Sequence, residues 1–284
     1  MEFIVNKEIS LIDFLIESLG SKSKTKIKNI IKSGRIAVND KSVKNPNTLL
    51  KSGQNIKIID KANLHHKQTR FNILFEDKYI LVAEKPAGLL SISTDKENKN
   101  TFYRFISDYI KESTNNREKI FIVHRLDRDV SGVMIFAKNY NIKEILQKNW
   151  ATTDKVYITI VEGVPPQKEG KIESWLKENK SHFVYTSSQE EDAYFSITKY
   201  KFISTHKNYS LLEIFLETGR KNQIRVQLAE IGCPVAGDKK YGAKTNPANR
   251  ICLHSHSLSI IHPVTNKPLV FKSNIPGNML KLIK

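Results

Sequence analysis

The sequence of 284 residues is poor in cysteine and contains no long hydrophobic run. Its two cysteines, Cys233 and Cys252, are too few for a disulfide framework and lack the paired spacing of a structural zinc site. A membrane-spanning helix needs about 18 consecutive apolar residues, and the sequence has no such stretch. Residues 1–10 lack the basic start and apolar centre of a secretory signal. We therefore expect a cytoplasmic protein with reduced thiols.

Acidic residues are scarce relative to basic ones. Asp and Glu number 29 against 46 Lys and Arg, which leaves a formal net charge of +17 and a sequence pI near 9.6. A surface of this sign attracts polyanions, because neutralising phosphates releases counterions. The competing interpretation is a lysine-rich chain whose charges only keep it in solution. Charge by itself favours a nucleic-acid partner.

The first part of the chain has the features of a small separate module. Residues 1–70 hold fourteen basic and six acidic side chains, a balance of +8 in a quarter of the length. Ser10 and Asp13 are spaced as a helix-start capping pair, and Gly20 is placed to end that helix. A second helix with many lysines follows, with Ile27 and its neighbours as the buried side and Gly34 at its end.

Residues 35–43, RIAVNDKSV, predict a strand, a tight Asn39-Asp40 turn and a second strand. Together with the lysine-bearing helix, residues 26–43 resemble the S-four-like RNA-binding module of ribosomal proteins and RNA enzymes. The alternative is a solvated lysine face on an ordinary helix. The resemblance implies that RNA phosphates contact a basic set: Lys22, Lys24, Lys26, Lys28, Lys32 and Arg35.

The remainder predicts an α+β catalytic domain with a large mixed, mostly antiparallel sheet. Short runs rich in Val, Ile, Tyr, Phe and Thr indicate strands, such as FNILFED, YILVAEK, KIFIVH, GVMIFAK, KVYITIVEG, AYFSITKYKFI and SLLEIFLETG. Helices are expected at about 101–112, 141–150 and 222–231. The predicted organisation is a basic module over 1–62, a linker over 63–70 and the catalytic domain over 71–284.

The segment 121–139, FIVHRLDRDVSGVMIFAKN, is the most informative about chemistry. Two predicted strands flank a short loop that carries Asp127. Side chains on loops between rigid strands are well placed to meet a substrate. The alternative is a turn carboxylate that caps its own backbone.

A second informative segment is 217–229, ETGRKNQIRVQLA. It predicts a strand that runs through Thr218-Gly219 into a helix carrying Arg220 and Arg225. A glycine turn, exposed amides and two guanidinium groups favour an anion site, for either a phosphate or a carboxylate.

These segments together resemble the RluA/RluD-type family of pseudouridine synthases. The family pattern His-Arg-Leu-Asp followed by Ser-Gly is matched at 124–132, and its early Lys-Pro-Gly loop at 84–89. Its tyrosine motif corresponds to 155–163, its long arginine motif to 218–242 and its closing motif to 253–263. The matches follow the family's order over residues 71–273.

The resemblance implies that Asp127 is the nucleophile, that Tyr157 packs against the target base and that Arg225 pairs with the carboxylate. An aspartate is ionised at neutral pH and can attack either the base or the anomeric carbon. The target uridine must be flipped out of its helix to reach the carboxylate. No cofactor or metal is required. Six further residues are implied to bind substrate: His124, Arg125, Lys155, Arg220, Gln223 and Leu253.

Two positions depart from the family pattern. Val130 stands where a threonine is usual, and Asn222 stands where a histidine is usual. We expect activity to survive both changes, and we hypothesise that they adjust the fit of the substrate. The implied substrate is large-subunit ribosomal RNA, with transfer RNA as the main rival, and we expect a monomer.

Three other functions compete with this interpretation. A metal hydrolase would use His254, His256 and His262, but their spacing lacks the helical pair with an acidic partner. A two-carboxylate hydrolase would use Asp127 and Asp129, but alternate residues tend to point apart. The third is a non-catalytic RNA-binding or assembly factor, which predicts binding without turnover.

Overall fold

The structure is a computed structural model that describes residues 2–20, 23–39, 41–58, 71–93 and 100–284. The chain divides into two compact units, Met1–Arg70 and Phe71–Lys284. Lys22, Asp40 and the predicted linker over 63–70 lie outside the described residues. No helix in the described part of the chain is long and apolar enough to cross a membrane.

The described residues of the amino-terminal unit form two helices and two small sheets. Its helices are α1 (Leu11–Leu19) and α2 (Lys24–Lys32). Its strands are β1 (Glu2–Ile4), β2 (Ile9–Ser10), β3 (Ile36–Val38), β4 (Lys41–Ser42), β5 (Leu49–Leu50) and β6 (Asn55–Ile58). One sheet has the order β1-β6-β3-β4, and β2 pairs with β5. The predicted hairpin over 35–43 is confirmed by the antiparallel pairing of β3 with β4.

Local signals in the sequence account for the helices of this unit. The Ser10 hydroxyl accepts a hydrogen bond from the Asp13 backbone amide at 3.2 Å, which confirms the predicted cap. Gly20 ends α1 in the left-handed conformation, with φ 60°. The apolar faces of both helices meet the sheet in a core that includes Leu11, Leu15, Ile27, Ile31, Ile36, Leu50 and Ile56.

The second unit is built on one eleven-stranded sheet. Its strands are β7 (Ile73–Glu76), β8 (Ile80–Lys85), β9 (Phe121–Ile122), β10 (Ser131–Ala137), β11 (Asp154–Glu162), β12 (Glu169–Glu178), β13 (Val184–Ser187), β14 (Tyr194–His206), β15 (Tyr209–Leu216), β16 (Leu253–Ile261) and β17 (Pro268–Lys272). Its helices are α3 (Phe102–Thr114), α4 (Tyr140–Lys148), α5 (Gln223–Glu230) and α6 (Gly277–Leu280). Two 3-10 turns lie at Trp150–Thr152 and Lys239–Tyr241.

The strand order is β13-β12-β14-β15-β11-β16-β10-β8-β7, with β9 on β10 and β17 on β16. Every recorded pairing of named strands in this sheet is antiparallel except β10 with β16, which is parallel. This confirms the predicted mixed, mostly antiparallel sheet. Because parallel strands begin at the same edge, the loops that lead into β10 and β16 lie side by side.

Strand β10 is covered on both faces. Met134 and Phe136 join the core that includes α3 and α5, whereas Val133 and Ile135 join the core that includes α4. All seven residues of the strand are buried. This explains why its sequence is a continuous apolar run rather than an alternating one.

Several element boundaries differ from the predictions. The strand expected across KIFIVH is only two residues long, Phe121–Ile122. The strand expected through Thr218-Gly219 ends at Leu216, and α5 begins at Gln223, so Arg220 precedes the helix and the prediction of two arginines on it was wrong. Gln223 Oε1 stabilises this turn by accepting a hydrogen bond from the Arg220 backbone amide at 3.0 Å.

Candidate active site

Asp127 lies on the loop between β9 and β10, as the sequence predicts. Its side chain is 28% exposed, and its Oδ2 accepts a hydrogen bond from Arg225 Nη1 at 3.1 Å. The two residues are 98 positions apart in the chain and meet because α5 packs beside the loop that enters β10. The carboxylate therefore reaches solvent on one side while a fixed cation holds the other.

The loop is set in place by the parallel pairing of β10 with β16. Gly132 pairs with Ser255 and has φ 121°, and a Cβ there would lie 2.1 Å from the Ser255 carbonyl oxygen. Only glycine allows this approach. The glycine of the Ser-Gly pair that follows Asp127 is thus required by the strand contact that positions the loop.

Arg225 is the centre of the hydrogen-bond network around the carboxylate. It is 7% exposed, and its Nε and Nη2 donate to both Asp238 oxygens at 2.6 and 2.9 Å. Its Nη1 also donates to Asn222 Oδ1 at 2.8 Å. Burial disfavours its charge, but Asp238 and Asp127 raise its pKa above the ordinary value. The guanidinium is therefore permanently charged and fixed in orientation.

Asp238 is a site residue that the sequence did not single out. Its side chain is 1% exposed and makes a bidentate pair with Arg225. A buried arginine requires an anionic partner, so such a residue was to be expected, but the choice among the acidic residues depends on the tertiary fold. The left-handed position of Asn222, with φ 56°, suits asparagine, and its Nδ2 donates to the Tyr241 hydroxyl at 2.9 Å.

Asp127 faces a cavity of about 300 Å³. Tyr157 reaches it from β11 and Leu253 from the start of β16, and both also contact the main core. Burial raises the pKa of Tyr157 to about 12, against a hydrogen bond with Ser255 that lowers it. The phenol is therefore protonated at neutral pH. The full lining comprises Val123, His124, Arg125, Leu126, Asp127, Val130, Trp150, Lys155, Tyr157, Leu216, Gly219, Arg220, Asn222, Gln223, Ile224, Arg225 and Leu253.

Three residues that the sequence predicts as substrate contacts line this cavity with their polar groups bonded to the protein. His124 Nε2 accepts from the Ile135 amide at 3.1 Å, and the ring stacks on Trp150. Lys155 Nζ donates to the Trp150 carbonyl at 3.0 Å. Gln223 Nε2 donates to the Ile197 carbonyl at 3.0 Å. These bonds orient the cavity wall, and direct contact with substrate stays a prediction for all three.

Two other predicted contacts, Arg125 and Arg220, line the same cavity with exposed side chains. The Arg220 guanidinium lies over the Tyr194 ring, 4.8 Å from its centroid. Such stacking restricts the side chain without neutralising its charge. Arg220 is consequently a cation held at the cavity rim.

The residues of the alternative hydrolase sites are engaged elsewhere. His254 Nδ1 and Nε2 lie 2.7 and 3.0 Å from the hydroxyls of Ser131 and Ser273. His262 Nε2 lies 2.8 Å from Asp77. Asp129 pairs with Arg128 and lines a different cavity from Asp127. The geometry thus favours neither a histidine metal site nor a carboxylate pair.

In the amino-terminal unit, the described lysines of the predicted RNA-binding set are exposed. Lys24, Lys28 and Lys32 are spaced by four along α2, so they share one face, and Lys26 is exposed on another. Arg35 is partly buried just before β3. Lys22 lies outside the described residues. The exposed row is suited to phosphate contacts.

Comparison with known proteins identifies the class. The family model for RNA pseudouridylate synthase matches residues 79–230, and the S4 domain model matches residues 11–56. The chain belongs to the RNA pseudouridylate synthase family and carries an amino-terminal S4 domain. The first match spans Asp127, Tyr157 and Arg225, whereas Asp238 and Leu253 lie beyond its end.

Individual relatives agree with this assignment. A Bacillus subtilis protein described as an uncharacterized RNA pseudouridine synthase, YhcT, is 32% identical over 92% of this chain and 88% of its own. The ribosomal large subunit pseudouridine synthase C of Buchnera aphidicola is 30% identical over 94% of this chain and 90% of its own. The solved structure of human RNA pseudouridylate synthase domain containing 4 shares the fold, with a TM-score of 0.63 at 22% identity, covering 78% of this chain and 94% of that one.

Proposed function

We propose that this protein converts specific uridines of large-subunit ribosomal RNA to pseudouridine, with Asp127 as the nucleophile. One observation carries the proposal. A carboxylate at the wall of a cavity is held by a buried, permanently charged arginine, with a protonated tyrosine and an apolar residue in the same wall. The family to which the chain belongs supports the reaction class.

The reaction is an isomerisation that needs no external reagent. The bond from uracil N1 to the ribose breaks, the base rotates, and a bond forms from C5 to the same sugar carbon. C5 loses a proton and N1 gains one, so the atoms balance. Asp127 attacks either the base or the anomeric carbon, and both routes use its ionised form. Arg225 supports that form by donating to Oδ2.

The cavity suits a flipped pyrimidine. Its volume of about 300 Å³ lies at the lower end of the range for small-ligand sites. Tyr157 offers a ring for stacking, and Leu253 an apolar contact. Extruding the uridine costs a few kcal/mol, and these contacts together with binding of the RNA backbone offset that cost. Arg125 and Arg220 at the rim are proposed to bind the adjoining RNA.

The choice of ribosomal RNA rests on relatives and charge. One relative is named a ribosomal large subunit pseudouridine synthase. The S4 domain match and the net charge of +17 favour a large structured RNA. We assign RNA docking to the amino-terminal unit and catalysis to residues 71–284.

Pseudouridine mapping of total RNA tests the function. Cells with the intact gene, cells lacking it, and deletion cells rescued by wild type or by Asp127→Asn would be compared. A ribosomal site that is lost on deletion and restored only by wild type is the expected result. A lost site in transfer RNA would redirect the substrate assignment. No lost site in any RNA would favour a non-catalytic binding protein.

A further inference from the structure

A second cavity, of about 450 Å³, shares Arg225 with the uridine cavity. Its wall is formed by four short segments: 87–88, 128–129, 237–240 and 249–251. Asp127 lines the first cavity and Asp129 the second. Two residues of chain span at most about 7 Å. The two cavities therefore flank one loop, and the Cα atoms of the two aspartates that line them are at most about one nucleotide step apart.

The second cavity carries an excess of positive charge. Five cationic side chains line it against two carboxylates. Both carboxylates are already paired, Asp238 with Arg225 and Asp129 with Arg128. The other three cations, Lys239, Lys240 and Arg250, form no ion pair with any carboxylate in the described part of the chain.

Arg250 is held rigidly while one edge of its guanidinium is left available. Its Nε donates to the Ile251 carbonyl at 3.0 Å, and its Nη2 donates to the Ser131 hydroxyl at 2.7 Å and the Leu253 carbonyl at 3.1 Å. Among the described residues, none accepts a hydrogen bond from its Nη1. A guanidinium fixed by neutral groups keeps its full charge for an external anion.

The lysines add to this unbalanced charge. Lys239 and Lys240 are exposed on the 3-10 turn that follows Asp238. Burial and then the charges of Arg225 and Lys221 lower the pKa of Lys240. Asp127 and Asp238 counteract these cations only in part, so an anion in the cavity would favour the charged form of Lys240.

We propose that this cavity binds the phosphodiester group of the nucleotide next to the flipped uridine, through Arg250, Lys239 and Lys240. The inference rests on the proposed function. Guanidinium and ammonium groups match phosphate oxygens in charge and in hydrogen bonding. A phosphate held on the far side of the loop from the uracil would fix the register of the RNA strand, so that one nucleotide and not its neighbour enters the uridine cavity.

Single-turnover kinetics on a synthetic RNA that contains the mapped uridine test this site. Lys239→Gln/Lys240→Gln is compared with Lys267→Gln/Lys272→Gln, a control that removes the same charge from exposed positions around β17. We expect the half-saturating protein concentration to rise about tenfold in the first variant and less than about twofold in the control. Melting temperatures of both variants should match wild type.

RNA with one neutral methylphosphonate linkage, placed in turn on each side of the uridine, identifies the ligand. At one position the neutral linkage should weaken RNA binding by the wild-type protein about tenfold. It should weaken RNA binding by Lys239→Gln/Lys240→Gln less than about twofold, because that variant has already lost the contact. Equal sensitivity of both proteins would assign the cavity to a free anion and overturn the proposal. A lysine variant that behaves like its control would overturn it as well. Absence of turnover by wild type on any RNA would instead refute the proposed function.

Discussion

The charged groups around Asp127 and those on helix α2 are arranged in opposite ways. Arg225 is 7% exposed and donates to Asp127, Asp238 and Asn222. The lysines of α2 that share one face are exposed to solvent. A buried, multiply bonded cation keeps one geometry, whereas an exposed lysine keeps its freedom and acts through long-range attraction.

This difference suits the two regions to different functions. Groups that must meet a reacting atom need fixed distances, which buried hydrogen bonds provide. Groups that collect a polyanion need charge density and tolerate many geometries. Changes in the buried network should therefore act on the rate of the chemical step, and changes on α2 should act on affinity and its salt dependence.

The largest effect is expected from Asp127→Asn. The amide is isosteric with the carboxylate but is not a nucleophile, so the single-turnover rate should fall at least about 10⁴-fold. The fold should persist, because Arg225 retains its bidentate pair with Asp238. Measurement of tritium release or pseudouridine formation at saturating RNA checks the rate. A residual rate within tenfold of wild type would show that another group is the nucleophile.

The next effect is expected from Asp238→Asn, which leaves the Arg225 charge buried with a weakened partner. Breaking a buried ion pair costs about 3–5 kcal/mol of stability, and misplacing Arg225 should lower the rate about 10²-fold. Denaturant unfolding and single-turnover kinetics measure the two effects. Asp108→Asn is the matched control, because its pair with Arg104 is exposed and worth at most about 1 kcal/mol. Equal losses of stability and rate in the two variants would show that the buried ion pair does not position Arg225.

A smaller effect is expected from acidification. Burial, then the charge of Lys155, lowers the pKa of His124 to about 3, and burial, Arg250 and His256 lower that of His254 to about 4. Below a pH of about 6.5 these histidines bind protons in the unfolded chain but stay neutral in the folded protein. The free energy of unfolding therefore falls as the pH falls. Each histidine should lower the free energy of unfolding by about 2 kcal/mol between pH 7 and pH 5.

Denaturant unfolding at the two pH values measures this loss. His254→Gln removes one titrating group but keeps a side chain that can form a hydrogen bond with Ser131 or Ser273. The free energy of unfolding that this variant loses between pH 7 and pH 5 should be about 2 kcal/mol smaller than the wild-type loss. His206→Gln, which changes a partly exposed histidine at the end of β14, serves as the control for the chemical change from histidine to glutamine. Identical pH dependence in all three proteins would contradict the prediction.

The smallest effect is expected on helix α2. Lys24→Gln/Lys28→Gln/Lys32→Gln removes three charges from one face and should weaken RNA binding about tenfold at moderate salt. The slope of the logarithm of the binding constant against the logarithm of the salt concentration should become shallower by about three. The maximal single-turnover rate should stay within about twofold of wild type. Binding measured between 50 and 200 mM salt provides the slope. A fall in maximal rate with unchanged affinity would reverse the division of work between the two regions.

Much of the fold follows from short-range signals in the sequence. The Ser10 cap, the left-handed Gly20 and the apolar stripe of α1 depend on neighbours within a few residues, so they are predictable. The strands β12, β13, β16 and β17 were not predicted. Exposed Glu and Lys obscure the apolar alternation of β12, and Ser and His interrupt the apolar residues of β16. β13 and β17 are only four and five residues long, too short for a clear pattern. The strand β9 was predicted too long, since apolar character alone does not show where pairing ends.

Some features of the candidate site could likewise be predicted from the sequence, and others depend on the tertiary structure. The sequence by itself determined the loop that carries Asp127, the tyrosine and the second arginine, because these residue types occur in a recognisable order. The tertiary structure alone decided that Asp238 orients Arg225, that Gly132 must lack a side chain, and that Lys239, Lys240 and Arg250 share a cavity. The first two relations join residues 13 and 123 positions apart in the chain. They depend on the order of strands in the sheet, which local propensities do not encode.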